Sequence, residues 1–163
     1  MTLRGGNKNL LDPIPAWMGV VARMAVGAVL IVAGTMKAAA PAEEFALVIH
    51  YYRLPFLSDD AISSLAAFLP WIELFVGWCL AAGYFTRRAA IAAAGLFLCF
   101  VAILASVKIR GIPLPNCGCF GGAFHPSIAQ GLVLDSFLFC LAFLAYRVGD
   151  KLWSLDNWCA NAG

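Results

Sequence analysis

Charge is scarce in this sequence. Of its 163 residues, 11 are Lys or Arg and 9 are Asp or Glu, 12% in all, where soluble domains carry about 25%. The net charge is only +2, and no basic run interleaves with aromatics, so nucleic acid is excluded as a partner. No internal repeat and no low-complexity linker divides the chain. There are two histidines and six cysteines, with a single close cysteine pair and no second pair to complete a zinc site. What remains is apolar: 63% of residues are hydrophobic and the mean hydropathy is +0.85. A core of this size cannot take up so much apolar surface in water, so the expected solvent is lipid.

Four stretches are long enough to cross a hydrocarbon core, which takes roughly 17–25 apolar residues: Ala16 to Met36, Ala61 to Phe85, Ala89 to Val107 and Ile128 to Tyr146. Helices satisfy their own backbone hydrogen bonds in lipid. The expected fold is therefore all-α, an integral membrane four-helix bundle forming a single transmembrane domain over residues 1–163. The small residues from Ala38 to Ala42 would suit a leader-cleavage site, but the preceding apolar run is longer than a signal-peptide core, so the first span is expected to stay. Between the first two spans, Phe45, Val48, Ile49 and Tyr52 recur at amphipathic spacing, which predicts a short interfacial helix over Glu43 to Tyr52. His50 on that helix reads as an interfacial histidine.

With four spans, the amino terminus, the second loop and the tail share one side. They carry Arg4, Lys8, Arg87, Arg88, Arg147 and Lys151, against Lys37, Arg53, Lys108 and Arg110 opposite. Six against four puts both termini in the cytoplasm by the positive-inside rule, and the chain in a bacterial inner membrane.

Charges within spans are costly and mark partners or function. Arg23 shares a face of the first span with Gly19, Gly27 and Gly34, and Glu73 shares a face of the second with Gly77. Counting about 1.5 Å per residue from the span ends puts the two charges at similar depth, so an Arg23–Glu73 structural pair is expected, with a proton relay as the other reading. Cys79, Cys99 and Cys140 lie in spans, where a lone cysteine behaves as a small apolar residue. Cys159 lies in the tail.

The one stretch built for chemistry is Asn116-Cys117-Gly118-Cys119-Phe120-Gly121-Gly122, on the outer side, where disulfides persist. Gly118 lets the backbone bend enough to close a small ring, and strained disulfides are the labile, exchangeable ones. Asp135 in the fourth span and Lys37 at the end of the first lie near that depth, and Lys37 can snorkel toward Asp135 to set the local charge. Three readings stand. Cys117 and Cys119 cycle with an exported protein; or they bind a soft ion such as Cu(I) together with His125; or they form an inert turn disulfide in a packing subunit.

These residues resemble the MauE/DoxX-like family, in particular its redox-associated MauE branch. The resemblance runs through Ala33-Gly34 with Lys37, Phe45, Tyr52-Arg53-Leu54-Pro55, Leu69-Pro70 with Glu73-Leu74 and Gly77, Gly83, Arg87-Arg88, and Cys117-Gly118-Cys119-Phe120-Gly121. It implies a four-helix membrane protein tied to periplasmic thiol–disulfide handling, as the methylamine-utilisation relatives are associated with maturing a disulfide-rich subunit. The bundle is also similar in outline to vitamin K epoxide reductase, whose Cys-x-x-Cys and second outer pair this sequence lacks. Many relatives have Arg-Asp in the fourth span where this chain has Leu134-Asp135. The expected function is maturation of an exported client through the Cys-x-Cys pair, the alternative an accessory subunit of a larger membrane complex. No cofactor is required by the sequence. Membrane lipid and a protein are the expected partners.

Overall fold

A computed structural model describes residues 15–55, 57–112 and 127–148. The Cys-Gly-Cys stretch, His125 and Cys159 lie outside the described residues. Among the described residues there are five helices, α1 (Ala16–Ala39), α2 (Ala42–Tyr51), α3 (Asp59–Ala82), α4 (Thr86–Ile109) and α5 (Ile128–Val148), and no strand. All but α2 are long and apolar enough to cross a membrane. The 24 residues of α1 correspond to about 36 Å of helix.

Local chemistry explains where the helices stop. Pro15 precedes α1, where a missing N–H costs nothing. Ala40 is extended because Pro41 follows it, and this parts α1 from α2. Glu43 and Glu44 occupy the first turn of α2, where the helix dipole favours negative charge. Ser58 caps α3, its hydroxyl accepting from the Ala61 N–H at 3.4 Å. At the other end Gly83 takes a left-handed conformation (φ 68°), a common helix stop. The second span therefore ends at Ala82, short of the expected Phe85, and α4 begins at Thr86 rather than Ala89.

The long helices form an antiparallel bundle in which α1 packs on α3 and α5, and α4 on α5 and α3. Its centre is mostly aliphatic, with one ring: Val26, Leu30, Leu80, Ala90, Ala93, Phe97, Leu138 and Ala142. The seam between α1 and α3 is set by glycine. A Cβ on Gly27 would meet the Gly77 carbonyl at 2.9 Å, and one on Gly34 the Pro70 carbonyl at 2.8 Å. The backbones touch there, and no other side chain fits. Helix α2 lies across the bundle mouth, with Phe45 and Ile49 in a second cluster over Ile62, Ala66 and Leu69. The expected amphipathic helix thus forms, within a residue of its predicted ends.

The glycine register corrects the expected Arg23–Glu73 pair. Gly27 sits opposite Gly77 and Ala81, and Gly34 opposite Pro70 and Leu74. Arg23, one turn before Gly27, therefore lies level with the end of α3, about two and a half turns or ~14 Å along the axis from Glu73. Helical side chains lean toward their own N-terminus, so Arg23 leans away from Glu73 while Lys37 leans toward it. Both Arg23 and Glu73 are buried in the bundle, and the ion pair of Glu73 is to Lys37.

Candidate functional site

The site is built where α1, α3 and α4 meet beneath α2. Lys37 closes the last turn of α1, and its ammonium donates to Glu73 Oε1 at 2.5 Å, both side chains being 1% exposed. The Phe45 ring on α2 and the Phe100 ring on α4 each lie 5.3 Å from Lys37 Nζ, within cation–π range. The ammonium is thus held by one carboxylate and two aromatic faces, a shell that stabilises a cation withdrawn from water. The expected reach of Lys37 toward Asp135 gives way to this pairing. Asp135 is itself buried on α5.

Above the pair is a cavity of about 50 Å³ lined by Lys37, Phe45, Ile49, Tyr52, Leu69 and Phe100, among other apolar residues. Lys37 and Tyr52 are the polar residues of an otherwise apolar lining. The roof is fastened by Arg110, which follows α4. Its guanidinium donates to the carbonyls of Tyr52 (2.6 Å) and Arg53 (2.7 Å) at the end of α2. A third donation reaches the Ser106 carbonyl at 3.2 Å. Arg53 holds a left-handed backbone (φ 47°), a strained state for a side-chain-bearing residue that the surroundings must impose. The turn before α3 and the segment after α4 are therefore tied together at the same end of the bundle. Nearby, His50 Nε2 and Asp59 Oδ1 lie 2.9 Å apart on the exposed rim, joining α2 to the start of α3.

Of the residues singled out in the sequence, Lys37 and Glu73 come together, whereas Arg23 lies deeper along the same seam and Asp135 is on a separate helix. Cys79 is half-buried, and Cys99 and Cys140 are exposed on the bundle surface as thiols. No metal-binding group of His, Cys, Asp or Glu occurs among the described residues. Sequence reasoning missed Phe45 and Phe100 as wall residues of the Lys37 pocket, and Arg110 as a clamp. The amphipathic spacing of α2 signalled Phe45. Nothing local signalled Arg110 as a clamp, since the Tyr52 and Arg53 carbonyls that it holds are more than 50 residues away.

Four apolar spans around a buried lysine–glutamate pair, roofed by a short amphipathic helix, define a small multi-pass α-helical membrane protein. The sequence pattern of the family described as "Methylamine utilisation protein MauE" matches residues 15–147, and the chain belongs to that family. It is similar to "Methylamine utilization protein MauE" of Paracoccus denitrificans, with 32% identity over 140 residues, covering 86% of this chain and 72% of the relative. No solved structure matches the chain.

Proposed function

We propose that this protein serves thiol–disulfide exchange on an exported client, through Cys117 and Cys119 on the outer face of a bacterial inner membrane, with both termini in the cytoplasm. The observation that carries the reading is the Arg110 clamp. It ties the helix end that leads into the Cys-Gly-Cys segment to the roof over the Lys37–Glu73 pocket. A fixed helix end just before the cysteines suits an exchange reaction, which requires a thiolate presented to an incoming protein. One cysteine, as thiolate, attacks a client disulfide, forming a mixed disulfide and releasing one client thiolate. The second cysteine then attacks the mixed disulfide; the client leaves as a dithiol, and Cys117–Cys119 is left oxidised. The reverse sequence oxidises a client, and in either direction an external thiol–disulfide protein resets the pair. The similar protein of Paracoccus denitrificans is described as a methylamine utilisation protein, and we place the client of this chain in such a pathway.

The test is trapping. Cys119→Ser and Cys117→Ser are expressed separately at native level, and exported proteins are probed for a mixed disulfide by non-reducing electrophoresis. At least one variant is expected to accumulate a reducible adduct absent from the double variant. Intact client maturation in both variants, with no adduct in either, refutes exchange and leaves the accessory-subunit reading. In that reading the chain co-purifies at fixed stoichiometry whether or not the cysteines are present.

A further inference from the structure

Two features of the lipid-facing surface have no explanation within a single chain. Trp71 is 63% exposed, yet it sits 12 residues after the start of α3 and 11 before its end, at the middle of the span. Tryptophans of membrane proteins favour the two interfaces, where the indole N–H finds water, and an unpaired donor in hydrocarbon is costly. Phe68, Phe75 and Trp78 continue the same exposed stripe. The second feature is Gly95, exposed on α4, where an added Cβ would meet nothing within 4 Å. Glycine inside a helix costs about 1 kcal/mol relative to alanine, and the usual return is close approach of another backbone. The described residues supply none at Gly95. Ala92, Cys99 and Ala102 extend Gly95 into a flat, small-residue face.

The two faces match in depth and lie side by side. Counted from the adjoining helix ends, Ala82 and Thr86, Phe75 is seven residues back along α3 and Ala92 six forward along α4; Trp71 is 11 back and Gly95 nine forward; Phe68 is 14 back and Cys99 13 forward. At 1.5 Å per residue each bulky residue is within about 3 Å of the depth of a small one. Phe75 and Ala92 line one surface groove between the two helices, so both faces look the same way out of the bundle. A two-fold axis along the membrane normal keeps every depth and exchanges the helices, and such a contact is self-complementary. We propose that this surface is the interface of a homodimer, in which the Phe68, Trp71 and Phe75 side chains of one copy seat on Cys99, Gly95 and Ala92 of the second, and reciprocally. A second copy is the occupant because the complementary face, at the matching depth, is carried by this chain itself.

The experiment uses the full chain in lipid bilayers. Cys99 is kept, the other five cysteines are replaced by alanine, and Phe68→Cys is introduced. Copper–phenanthroline oxidation is expected to give a disulfide-linked dimer, while Phe137→Cys, exposed on α5, gives none. In the wild-type chain, counting of subunits by single-molecule photobleaching is expected to show two per particle. Gly95→Leu is expected to lower the dimer fraction roughly tenfold at fixed protein-to-lipid ratio, with helix content unchanged because its Cβ meets nothing inside the monomer. Single subunits at every ratio would overturn the proposal, as would Cys99–Cys99 linkage without Phe68→Cys. Capture of a different protein at Phe68→Cys in native membranes, with no self-linkage, would overturn it too.

Discussion

The Lys37–Glu73 pair should behave as an unequal partnership. At 2.5 Å and an effective dielectric near 20, the Coulomb attraction is about 6–7 kcal/mol, most of which offsets the cost of withdrawing both ions from water. Lys37→Met leaves the Glu73 carboxylate in an apolar chamber with no counter-charge. Removal of one partner from a buried pair costs about 3–5 kcal/mol. Glu73→Gln keeps an acceptor oxygen, and the ammonium retains the Phe45 and Phe100 rings. Its cost is the charge-assisted part of one hydrogen bond, about 1.5–3 kcal/mol. The double variant Lys37→Met/Glu73→Leu removes both charges and should return to within about 2 kcal/mol of wild type, since apolar replacement of a whole buried pair is often neutral. The assay is reversible unfolding in mixed micelles of increasing SDS fraction, with helix signal as readout. A second cycle, Arg23→Met with Glu73→Gln, should give additive costs within about 0.5 kcal/mol, as expected of groups more than about 10 Å apart. Equal, additive costs for Lys37→Met and Glu73→Gln would refute the pairing. Strong coupling between Arg23 and Glu73 would refute the register.

Two further outcomes follow from geometry. Gly34→Ala puts a Cβ 2.8 Å from the Pro70 carbonyl and 3.1 Å from the Leu74 N, so α1 and α3 must part and stability should fall by about 1–3 kcal/mol in the same unfolding assay. Arg110→Ala removes the donations to Tyr52 and Arg53; amide exchange at Leu54 and Leu57 should speed up while that of α1 stays unchanged, a local opening rather than a global one.

The architecture was legible because lipid simplifies the problem: every span must be a helix. The ends were less so, since the expected second span ran through Gly83, whose left-handed turn stops α3. The amphipathic α2 was legible from the spacing of Phe45, Ile49 and Tyr52. Depth was not. Counting from span ends treats two helices as rulers with a shared zero, whereas the zero is set where Gly27 meets Gly77 and Gly34 meets Pro70. The glycines were visible in the sequence as a face; which glycine met which was not. That offset, about two and a half turns, was enough to exchange Arg23 for Lys37 as the partner of Glu73.

That exchange alters what the buried charges can do. An Arg23–Glu73 pair would have locked the middle of the α1–α3 seam, far from any opening. Lys37–Glu73 instead sits under the roof formed by α2, and Lys37 lines the cavity there. Arg110, from the end of α4, holds the far end of that same roof by its last carbonyls. The last turn of α1 and the whole of α2 therefore converge on one end of the bundle with the end of α4, which lies far along the chain and leads toward Cys117 and Cys119. A displacement of α2 would have to break the Arg110 donations and strip Phe45 from the ammonium together. The roof is therefore coupled to the charge beneath it, and loosening either contact should loosen the other.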